Sequence, residues 1–311
     1  MQPKYPIYII SKGRADSRLT SKTLDEIRVP YKIVIEESEF DDYNKGISAD
    51  KILTLPPGFR ENPKYAIPDN KGRIGGSIPA RNFVWDHSIK EGHERHWIMD
   101  DNIKHFYRLH KNQKTKVTSG TVIRLCEDFT DRYKNVKMSG MNYQYFAPAS
   151  QKKRPYTLNT RIYSCILLSN DIKHRWRGKY NEDTDLSLNI LKDDWCTILF
   201  NAFLCGKITT LVMGGGNTDN VYVDGDNRLQ FAQALVEQHP DLVKVVQRYN
   251  RWHHHVDYSP FKKNKLIYRD DYVIKGGTNE YGMKLHALTM DQYKKATTEF
   301  GNAENPYYEQ T

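Results

Sequence analysis

Trp97-Ile98-Met99-Asp100-Asp101-Asn102 is the segment of this sequence that says most about how the chain folds. Its apolar residues are typical of a buried β-strand, and the chain then changes abruptly to two carboxylates and an amide. Ligands of open α/β sheets bind beyond the carboxyl ends of the strands. Adjacent oxygen ligands at such a place suit Mg²⁺ or Mn²⁺ carrying a phosphorylated substrate, although a solvated turn has a similar composition.

Strand-like and helix-like segments alternate upstream of this point. Ser77 is a good N-cap, Pro79 is tolerated in a first helical turn, and Gly92 is suited to end the helix between them. Strands are predicted at residues 5–10, 31–35, 52–55 and 96–99, and helices at residues 17–27 and 78–91. This alternation predicts an α/β fold in which helices cover both faces of a parallel sheet.

The rest of the chain indicates a mixture of strands and helices. Helices are predicted at residues 117–133, 183–195 and 227–246, the last interrupted at Pro240, and strands at residues 136–141, 162–168 and 196–200. No repeat or clear linker divides this part of the sequence. We therefore expect one α/β domain over residues 1–268, with a mixed, mostly parallel sheet flanked by helices, and a C-terminal appendage over residues 269–311.

The composition is that of a water-soluble protein with a modest core. Hydrophobic residues make up 38% of the 311 residues, and the mean hydropathy is −0.75. No apolar run approaches the roughly 20 residues that span a bilayer, and the first residues lack the apolar core of a signal peptide. The four cysteines show no CxxC spacing, which favours reduced thiols over a zinc site. We expect an intracellular protein with no membrane partner.

The charge balance favours a polyanionic partner or substrate. Lysine and arginine total 47 against 38 aspartates and glutamates, so the net charge is +9. A positive surface of this kind steers nucleic acid toward a protein, although many basic proteins carry it without binding any. The 21 tyrosines add amphipathic rings that serve stacking surfaces and ordinary cores equally well.

Two loops have the composition of a nucleotide site. Ser11-Lys12-Gly13-Arg14 follows the first predicted strand, where a glycine and two cations suit a nucleotide. Gly75-Gly76-Ser77 leads into the helix that contains Arg81. The paired glycines allow close backbone approach, the helix N-terminus attracts phosphate, and Arg81 could add a bidentate contact. A basic turn and a flexible loop before an amphipathic helix are the alternatives.

Acidic residues cluster at the start of a later helix, in Asn181-Glu182-Asp183-Thr184-Asp185. They fit the positive end of the helix dipole, and Asp183 or Thr184 could simply cap the helix. A carboxylate held among other acids can also have a raised pKa, which suits a general base that takes a proton from an acceptor hydroxyl.

A histidine-rich segment, Trp252-His253-His254-His255, precedes Phe261-Lys262-Lys263. On a strand, His254 would face away from its two neighbours, and one of the three could complete the shell of a metal held by the acidic pair. The lysines could neutralise a leaving diphosphate. Satisfied histidines on a solvated basic segment are the alternative. Further upstream, Gly214-Gly215-Gly216-Asn217 could form a mobile loop that closes over a ligand.

Five stretches together resemble the bacteriophage glycosyltransferases of the TET-associated group, which have a GT-A-like, Rossmann-like fold. The stretches are YIISKGRA, GGSIPARNFVWD, WIMDDNI, YNEDTDLSLNILKDDWCTILFNAFL and WHHHVDYSPFKKNKL. The resemblance covers residues 5–268. It implies a GT-A-like glycosyltransferase that acts on hydroxymethylated pyrimidines in DNA.

The resemblance also implies roles for individual residues on the donor side. Asp100 and Asp101 stand where the family's acids bind ribose, sugar and metal, although the pattern here is Asp-Asp-Asn and not Asp-x-Asp. Asp101 is then the first choice as metal ligand, with His254 as the late ligand. The remaining donor-binding residues would be Ser11, Lys12, Gly13, Arg14, Arg81 and Asp100 around the nucleotide sugar, and Lys262 or Lys263 at the diphosphate.

The same resemblance implies that Glu182 and Asp183 form the pair that supplies the base, and Asp183 is our choice. We therefore expect a transferase dependent on Mn²⁺ or Mg²⁺ that moves a sugar from a UDP-sugar to 5-hydroxymethylcytosine in DNA, in the cytoplasm of an infected host cell. A metal-dependent nuclease or phosphoesterase would also use clustered acids and histidines. A glycosyltransferase with a non-DNA acceptor would share the donor site, and a non-catalytic DNA-binding protein would share the charge.

Overall fold

The computed structural model describes residues 1–110, 112–151, 153–208, 227–273 and 291. Its contacts divide the chain into two units, Met1–Arg269 and Asp270–Thr311. The sheet and the helices that pack on it belong to the first unit. None of the helices in the described part of the chain combines the length and the apolar composition needed to cross a membrane.

Six helices and twelve strands in the described part of the chain have defined bounds. The helices are α1 Leu19–Glu26, α2 Phe40–Asn44, α3 Ile78–Lys90, α4 Thr121–Thr130, α5 Glu182–Lys192 and α6 Arg228–Gln238. The strands are β1 Ile7–Ile10, β2 Lys32–Glu36, β3 Ile52–Leu55, β4 Arg95–Asp100, β5 Ile103–His110, β6 Gln113–Lys116, β7 Val136–Tyr143, β8 Tyr156–Leu158, β9 Cys165–Ser169, β10 Cys196–Lys207, β11 Val243–Arg248 and β12 Arg251–Val256.

Ten of these strands form one mixed sheet in the order β3-β2-β1-β4-β9-β7-β10-β5-β6, with β8 paired to β10. Six strands, β1 to β4, β7 and β10, run in one direction. The strand β9 runs against β4 and β7, and β5, β6 and β8 also run antiparallel to their neighbours. The predicted α/β class with a mixed, mostly parallel sheet is therefore confirmed.

Both faces of β4 are buried, which explains its continuous apolar sequence. Trp97 and Met99 point into a core that also contains Leu24 of α1 and Ile123 of α4. Ile98 points to the opposite face, into a core shared with α3 and α5. Alternate side chains of a strand face opposite ways, so a strand between two helical layers must be apolar at every position.

One predicted element was wrong. The predicted helix at 227–246 ends at Gln238, and Val243–Arg248 instead forms β11, which pairs antiparallel with β12. Pro240 disfavours a helical conformation in the residue before it, and His239 has a φ of −140°. The valines beyond it favour a strand because β-branched side chains pack well on a pleated surface.

In the middle of the chain, we predicted fewer strand residues and more helical residues than the structure contains. The predicted strand 196–200 continues to Lys207, and α4 spans ten residues where seventeen were predicted. The antiparallel hairpin β5–β6 was not predicted at all. Its sequence alternates cations with other residues, so its apolar pattern is weak.

Candidate active site

The carboxyl ends of the parallel strands bring distant polar residues to one edge of the sheet. Ser11 follows β1, Asp100 ends β4, Tyr143 ends β7 and Lys207 ends β10. Because β9 is antiparallel, Ser164, just before its first residue, lies at the same edge. Side chains from the first turns of α3 and α5 meet these residues there. The edge therefore collects side chains that are far apart in sequence.

Asp100 is held by two cations and a hydroxyl. Its Oδ2 accepts hydrogen bonds from Lys207 Nζ at 2.6 Å and Ser164 Oγ at 2.7 Å, and its Oδ1 lies 3.4 Å from Arg81 Nη2. Burial alone would raise the pKa of Asp100, but Lys207 and Arg81 lower it to about 2. Asp100 is therefore ionised at neutral pH and is not a proton acceptor.

Asp101 joins the strand end to the Ser11–Arg14 loop. Ser11 Oγ donates a hydrogen bond to Asp101 Oδ2 at 2.7 Å, and Arg14 forms an ion pair with Oδ1. Tyr43 shares a hydrogen bond with Ser11, with 2.7 Å between their hydroxyls. Burial raises the pKa of Asp101, and Arg14 and Ser11 only partly oppose that effect. The predicted nucleotide loop and the predicted metal ligand thus lie in direct contact.

Arg81 lies among three carboxylates at the first turn of α3. Its Nη1 donates to Asp183 Oδ1 at 2.6 Å, and its Nη2 lies 3.4 Å from Asp100 Oδ1 and 3.7 Å from Glu182 Oε1. The side chain is only 5% exposed, and its guanidinium carbon lies 4.5 Å from the centre of the Trp176 ring. Burial lowers the pKa of Arg81, but the three acids outweigh this and raise it. Arg81 therefore fixes the distance between the two acidic segments.

Asp183 has the electrostatic properties of a proton acceptor. Burial, Glu182 and Asp100 raise the pKa of its carboxyl to about 7, although Arg81 and Lys207 oppose the shift. Its side chain is 13% exposed. A carboxylate with a pKa near the working pH can take a proton from a substrate and return it to solvent. At the same edge of the sheet, Asp100 therefore carries a permanent charge, whereas Asp183 gains and loses a proton near neutral pH.

Asn102 supplies a further oxygen beside the two aspartates. Its side chain is 6% exposed, and its Oδ1 is buried without a hydrogen-bond donor among the described residues. Amide and carboxylate oxygens are the ligands that Mg²⁺ and Mn²⁺ prefer. In the described part of the chain, no three His, Cys, Asp or Glu side chains gather closely enough to hold a metal. The oxygens of Asp100 and Asp101 already contact cations and hydroxyls, so the Asn102 oxygen is the side-chain oxygen of residues 100–102 without a partner in the described part of the chain. A metal ion bound here would take most of its ligands from water and a substrate.

His254 lies on β12 and its surroundings keep it neutral. Burial, with Arg161 and His253, lowers its pKa to about 4. Arg161 also lies 5.1 Å from the centre of the Tyr163 ring, and the Tyr163 hydroxyl lies 3.2 Å from Thr184 Oγ1 on α5. His254 is therefore close enough to Arg161 for that charge to lower its pKa, and Arg161 in turn contacts Tyr163 beside the start of α5. A neutral imidazole is the form that binds metals.

The structure does not bring every predicted residue to this edge. Lys263 pairs with Asp194 at 3.0 Å, just beyond the far end of α5, and eleven helical residues separate that end from the acidic pair by about 16 Å. Lys262 belongs to the same turn, Ser259–Lys263, and is exposed. Lys12 pairs with Glu36 at 2.8 Å and not with the acids. The predicted glycine loop at 214–217 lies outside the described residues.

Sequence reasoning missed Lys207, Ser164, Tyr143 and Tyr163, which all contact the acidic cluster or its neighbours. Lys207 ends the long strand β10, so a correct strand boundary would have placed it at the carboxyl edge. No comparable signal identifies Ser164, because an antiparallel strand brings its first residues, not its last, to this edge.

Comparison with known proteins gives one match. The family model described as TET-Associated Glycosyltransferase matches residues 5–216, about two thirds of the chain. These residues include the Ser11–Arg14 loop, Arg81, the acidic segment at 100–102 and the pair at 182–183. No curated protein matches the chain significantly.

Proposed function

Because the chain belongs to the TET-Associated Glycosyltransferase family, we propose that it transfers a sugar from a UDP-sugar to the hydroxyl of a hydroxymethylated pyrimidine, 5-hydroxymethylcytosine, in bacteriophage DNA. The observation that carries the proposal is the buried Asp183 carboxyl, whose pKa is raised to about 7 beside Glu182 and Asp100. A base that titrates near neutral pH is what an acceptor hydroxyl requires.

The donor side of the site suits a nucleoside diphosphate. A cavity between the Gly13–Arg18 loop and α2, lined in part by Tyr43 and Gly46, adjoins Ser11 and suits the uridine. Arg14, Arg81 and Lys207 bring three cations to the acids at the same edge. In the proposed complex Arg14 and Lys207 exchange carboxylate contacts for phosphate contacts as the donor binds, while Arg81 keeps its hydrogen bond to Asp183.

The charges of the site support the proposed dependence on a divalent ion. The cluster contains four carboxylates, Asp100, Asp101, Glu182 and Asp183, and only three cations, so the fully ionised site is negative. A diphosphate would be repelled unless a cation accompanied it. In the proposed site, Asp101 and the unpaired Asn102 oxygen would hold Mg²⁺ or Mn²⁺, and His254 is the proposed late ligand. The ion would neutralise the leaving diphosphate.

The chain's own carboxylate performs the proton transfer. Asp183 accepts the proton of the acceptor hydroxyl. At the same time the hydroxyl oxygen forms a bond to the anomeric carbon of the sugar. The bond between that carbon and the diphosphate oxygen breaks, and its electron pair leaves with UDP. Arg81 holds Asp183 in place and Asp100 beside it, so the base keeps its position while its charge changes.

A mass measurement tests the proposal. The full chain is incubated with a panel of UDP-sugars, Mn²⁺ and either 5-hydroxymethylcytosine DNA or cytosine DNA. The DNA is then digested to nucleosides, and their masses are measured by mass spectrometry. We expect one sugar mass on the hydroxymethylated nucleoside only. Transfer to neither DNA with any donor, or nicking of plasmid under the same conditions, would contradict the proposal and would favour another acceptor or a nuclease.

Asp183→Asn tests the assignment of the base. Loss of general base catalysis commonly costs about 100- to 10,000-fold in rate, so most turnover should disappear while UDP binding remains. Asp194→Asn is the matched control, since Asp194 lies just beyond the opposite end of the same helix and is exposed. Unaltered turnover in Asp183→Asn would remove Asp183 from the mechanism.

A further inference from the structure

A group of aromatic rings lies next to the acidic cluster and takes no part in the chemistry described above. We call Tyr143, Tyr145, Phe146 and Tyr163 the aromatic shelf. The rings of Tyr143 and Tyr163 are stacked, with 6.2 Å between centres and 15° between planes. Tyr145 lies 5.2 Å and Phe146 5.6 Å from Tyr143, and their own rings are 4.8 Å apart. The four rings therefore form one continuous aromatic surface.

The aromatic shelf is fastened to the reacting edge by hydrogen bonds. The Tyr143 hydroxyl lies 2.6 Å from Ser164 Oγ, and this same oxygen donates to Asp100. Lys207 Nζ lies 5.7 Å from the centre of the Tyr143 ring. The Tyr163 hydroxyl reaches Thr184, the residue after Asp183. The two covered rings of the shelf therefore lie beside the acidic cluster, and the two exposed rings lie one ring further out.

Two rings of the shelf are open to solvent. Tyr145 and Phe146 are each 47% exposed, whereas Tyr143 and Tyr163 are largely covered. Single exposed apolar side chains are common on protein surfaces and need no explanation. The Tyr145 and Phe146 rings stand 74° apart, with Tyr143 packed against both, so each exposed ring offers its own face on which another ring can stack.

Four exposed cations lie on the segment that follows the shelf and on the β5–β6 hairpin that contacts this segment. Phe146 leads into the segment that contains Lys153 and Arg154, and Asn112 Nδ2 at the tip of the β5–β6 hairpin donates to Ala149 O in that segment at 3.3 Å. The hairpin adds Lys104 and Arg108, which are exposed like the other two cations. We call Lys104, Arg108, Lys153 and Arg154 the cationic border. None of the four forms an ion pair with another residue in the described part of the chain.

From this arrangement we propose that the aromatic shelf receives the acceptor pyrimidine after it has left the base stack, while the cationic border holds the neighbouring phosphates. The inference rests on the proposed function and names the part of the protein that recognises the acceptor. Aromatic rings beside cations are the usual means of holding unstacked nucleotides, because rings stack on bases of any sequence and cations neutralise the backbone. A base that has left the helix can bring its hydroxymethyl group closer to a buried carboxylate than a base that stays in the duplex.

The charge of the border distinguishes this partner from a carbohydrate. Sugar rings also lie on aromatic side chains, but four exposed cations add no charge attraction to the binding of a neutral glycan. A polyanionic strand gains from both features, and the chain as a whole carries a net charge of +9. The observations therefore favour a nucleotide, and a neutral acceptor becomes an outcome of the test.

The kinetic test uses the double variant Tyr145→Ala/Phe146→Ala in the full chain. Removing a stacked base contact usually weakens nucleotide binding by about tenfold or more, so the KM for hydroxymethylcytosine DNA should rise at least about tenfold. The KM for the UDP-sugar should stay unchanged. Tyr145→Phe/Phe146→Tyr keeps both rings and should behave like the wild type.

Trp195→Ala is the matched control. Trp195 is also partly exposed, but it precedes the first residue of β10, at the end of the strand opposite Lys207. This variant should leave both KM values unchanged. An unchanged acceptor KM in the double variant, with normal wild-type transfer, would overturn the shelf and leave the proposed function intact. Absence of transfer in the wild type would instead contradict the proposed function.

A binding test works without turnover. The acceptor base is flanked by 2-aminopurine, whose fluorescence rises when its neighbour unstacks, and the labelled duplex is titrated with protein and UDP. We expect a rise for the wild type and none for Tyr145→Ala/Phe146→Ala. Lys153→Gln/Arg154→Gln should make the plot of log affinity against log salt less steep, with the size of its negative slope reduced by about 2. Two results would overturn the proposal: no rise in fluorescence with the wild type, or stronger inhibition of sugar transfer by a neutral glycan than by competing DNA.

Discussion

Arg81 Nη1 donates to Asp183 Oδ1 at 2.6 Å, and this hydrogen bond joins the first turn of α3 to the first turn of α5. The two residues are 102 positions apart in sequence. Arg81 also reaches Asp100, so one buried guanidinium connects the end of the central strand to the helix that carries the proposed base. The contact of Arg81 with the nucleotide stays a prediction, and in the structure the same guanidinium holds the acids together.

Replacing Arg81 tests that organising role. Removal of one partner from a buried ion pair typically costs about 3–5 kcal/mol, because the remaining charge is left without compensation. We expect Arg81→Gln to lower the free energy of unfolding by an amount of this order and to abolish transfer. Arg81→Lys keeps the charge and should retain most of the stability while losing activity, because an ammonium cannot span two carboxylates. Urea denaturation and initial rates measure the two effects. Equal stability of Arg81→Gln and wild type would contradict this role.

The pH profile tests the pKa of the base. If Asp183 accepts the proton with a pKa of about 7, then kcat/KM should rise through that pH and level off above it. Asp183→Asn should show no such rise in its residual rate. A midpoint near pH 4 in the wild type would instead indicate an ordinary carboxylate.

The same titration affects stability with a definite sign. The pKa of Asp183 in the folded protein lies above its value of about 3.9 in the unfolded chain, so folding favours the protonated form. That contribution is complete below the unfolded pKa and is lost as the pH rises through about 7. We expect Asp183→Asn, which cannot ionise, to gain stability relative to the wild type between about pH 5 and pH 8. Urea denaturation at both pH values measures this difference, and a gain that is the same at both would contradict it.

Asn102→Ala tests the fit of the divalent ion. The side-chain oxygen of Asn102 has no donor among the described residues, and its Nδ2 makes one long hydrogen bond, 3.4 Å, to Ile208 O. Removal of the side chain should therefore leave the fold intact and weaken binding of the ion. Loss of a supporting group at a metal site usually costs about 10- to 100-fold in affinity, and we expect half-saturation by Mn²⁺ to shift by that amount. Mn²⁺ titration of UDP binding, followed by calorimetry, gives the measurement. Asn62→Ala, an exposed asparagine elsewhere, should leave the titration unchanged, and a similar result for Asn102→Ala would exclude this oxygen.

Gly140→Ala tests the close approach of β7 and β9. A Cβ at Gly140 would collide with the backbone oxygen of Cys165 and the side chain of Ile162, and neither neighbour has room to move. Overpacking of this kind costs about 1–3 kcal/mol, so the variant should unfold at lower urea. Gly75→Ala is the control, because its Cβ would meet only the flexible side chain of Lys179. Equal denaturation midpoints for the two variants would contradict the packing.

Much of the fold follows from local patterns, because secondary structure depends on side chains that are close in sequence. The apolar run of β4 with its acidic end, the start of α3 after Ser77 and the acids that open α5 were all readable without tertiary contacts. Strand boundaries were less certain where pairing alone sustains a strand. The last seven residues of β10 are an example, since they pair with β7 on one side and β5 on the other.

Some residues of the site could be predicted from the sequence, but the distances and charge interactions between them could not. The order of residues identified Asp100 and Asp101 as acids at a strand end and Asp183 as an acid at a helix start, because these patterns are local. Only the folded chain assigns Asp100 a pKa of about 2 and Asp183 one of about 7, since burial and the distances to Arg81 and Lys207 decide both. Electrostatic energy depends on distance in space and on exclusion of water, and a linear sequence contains neither.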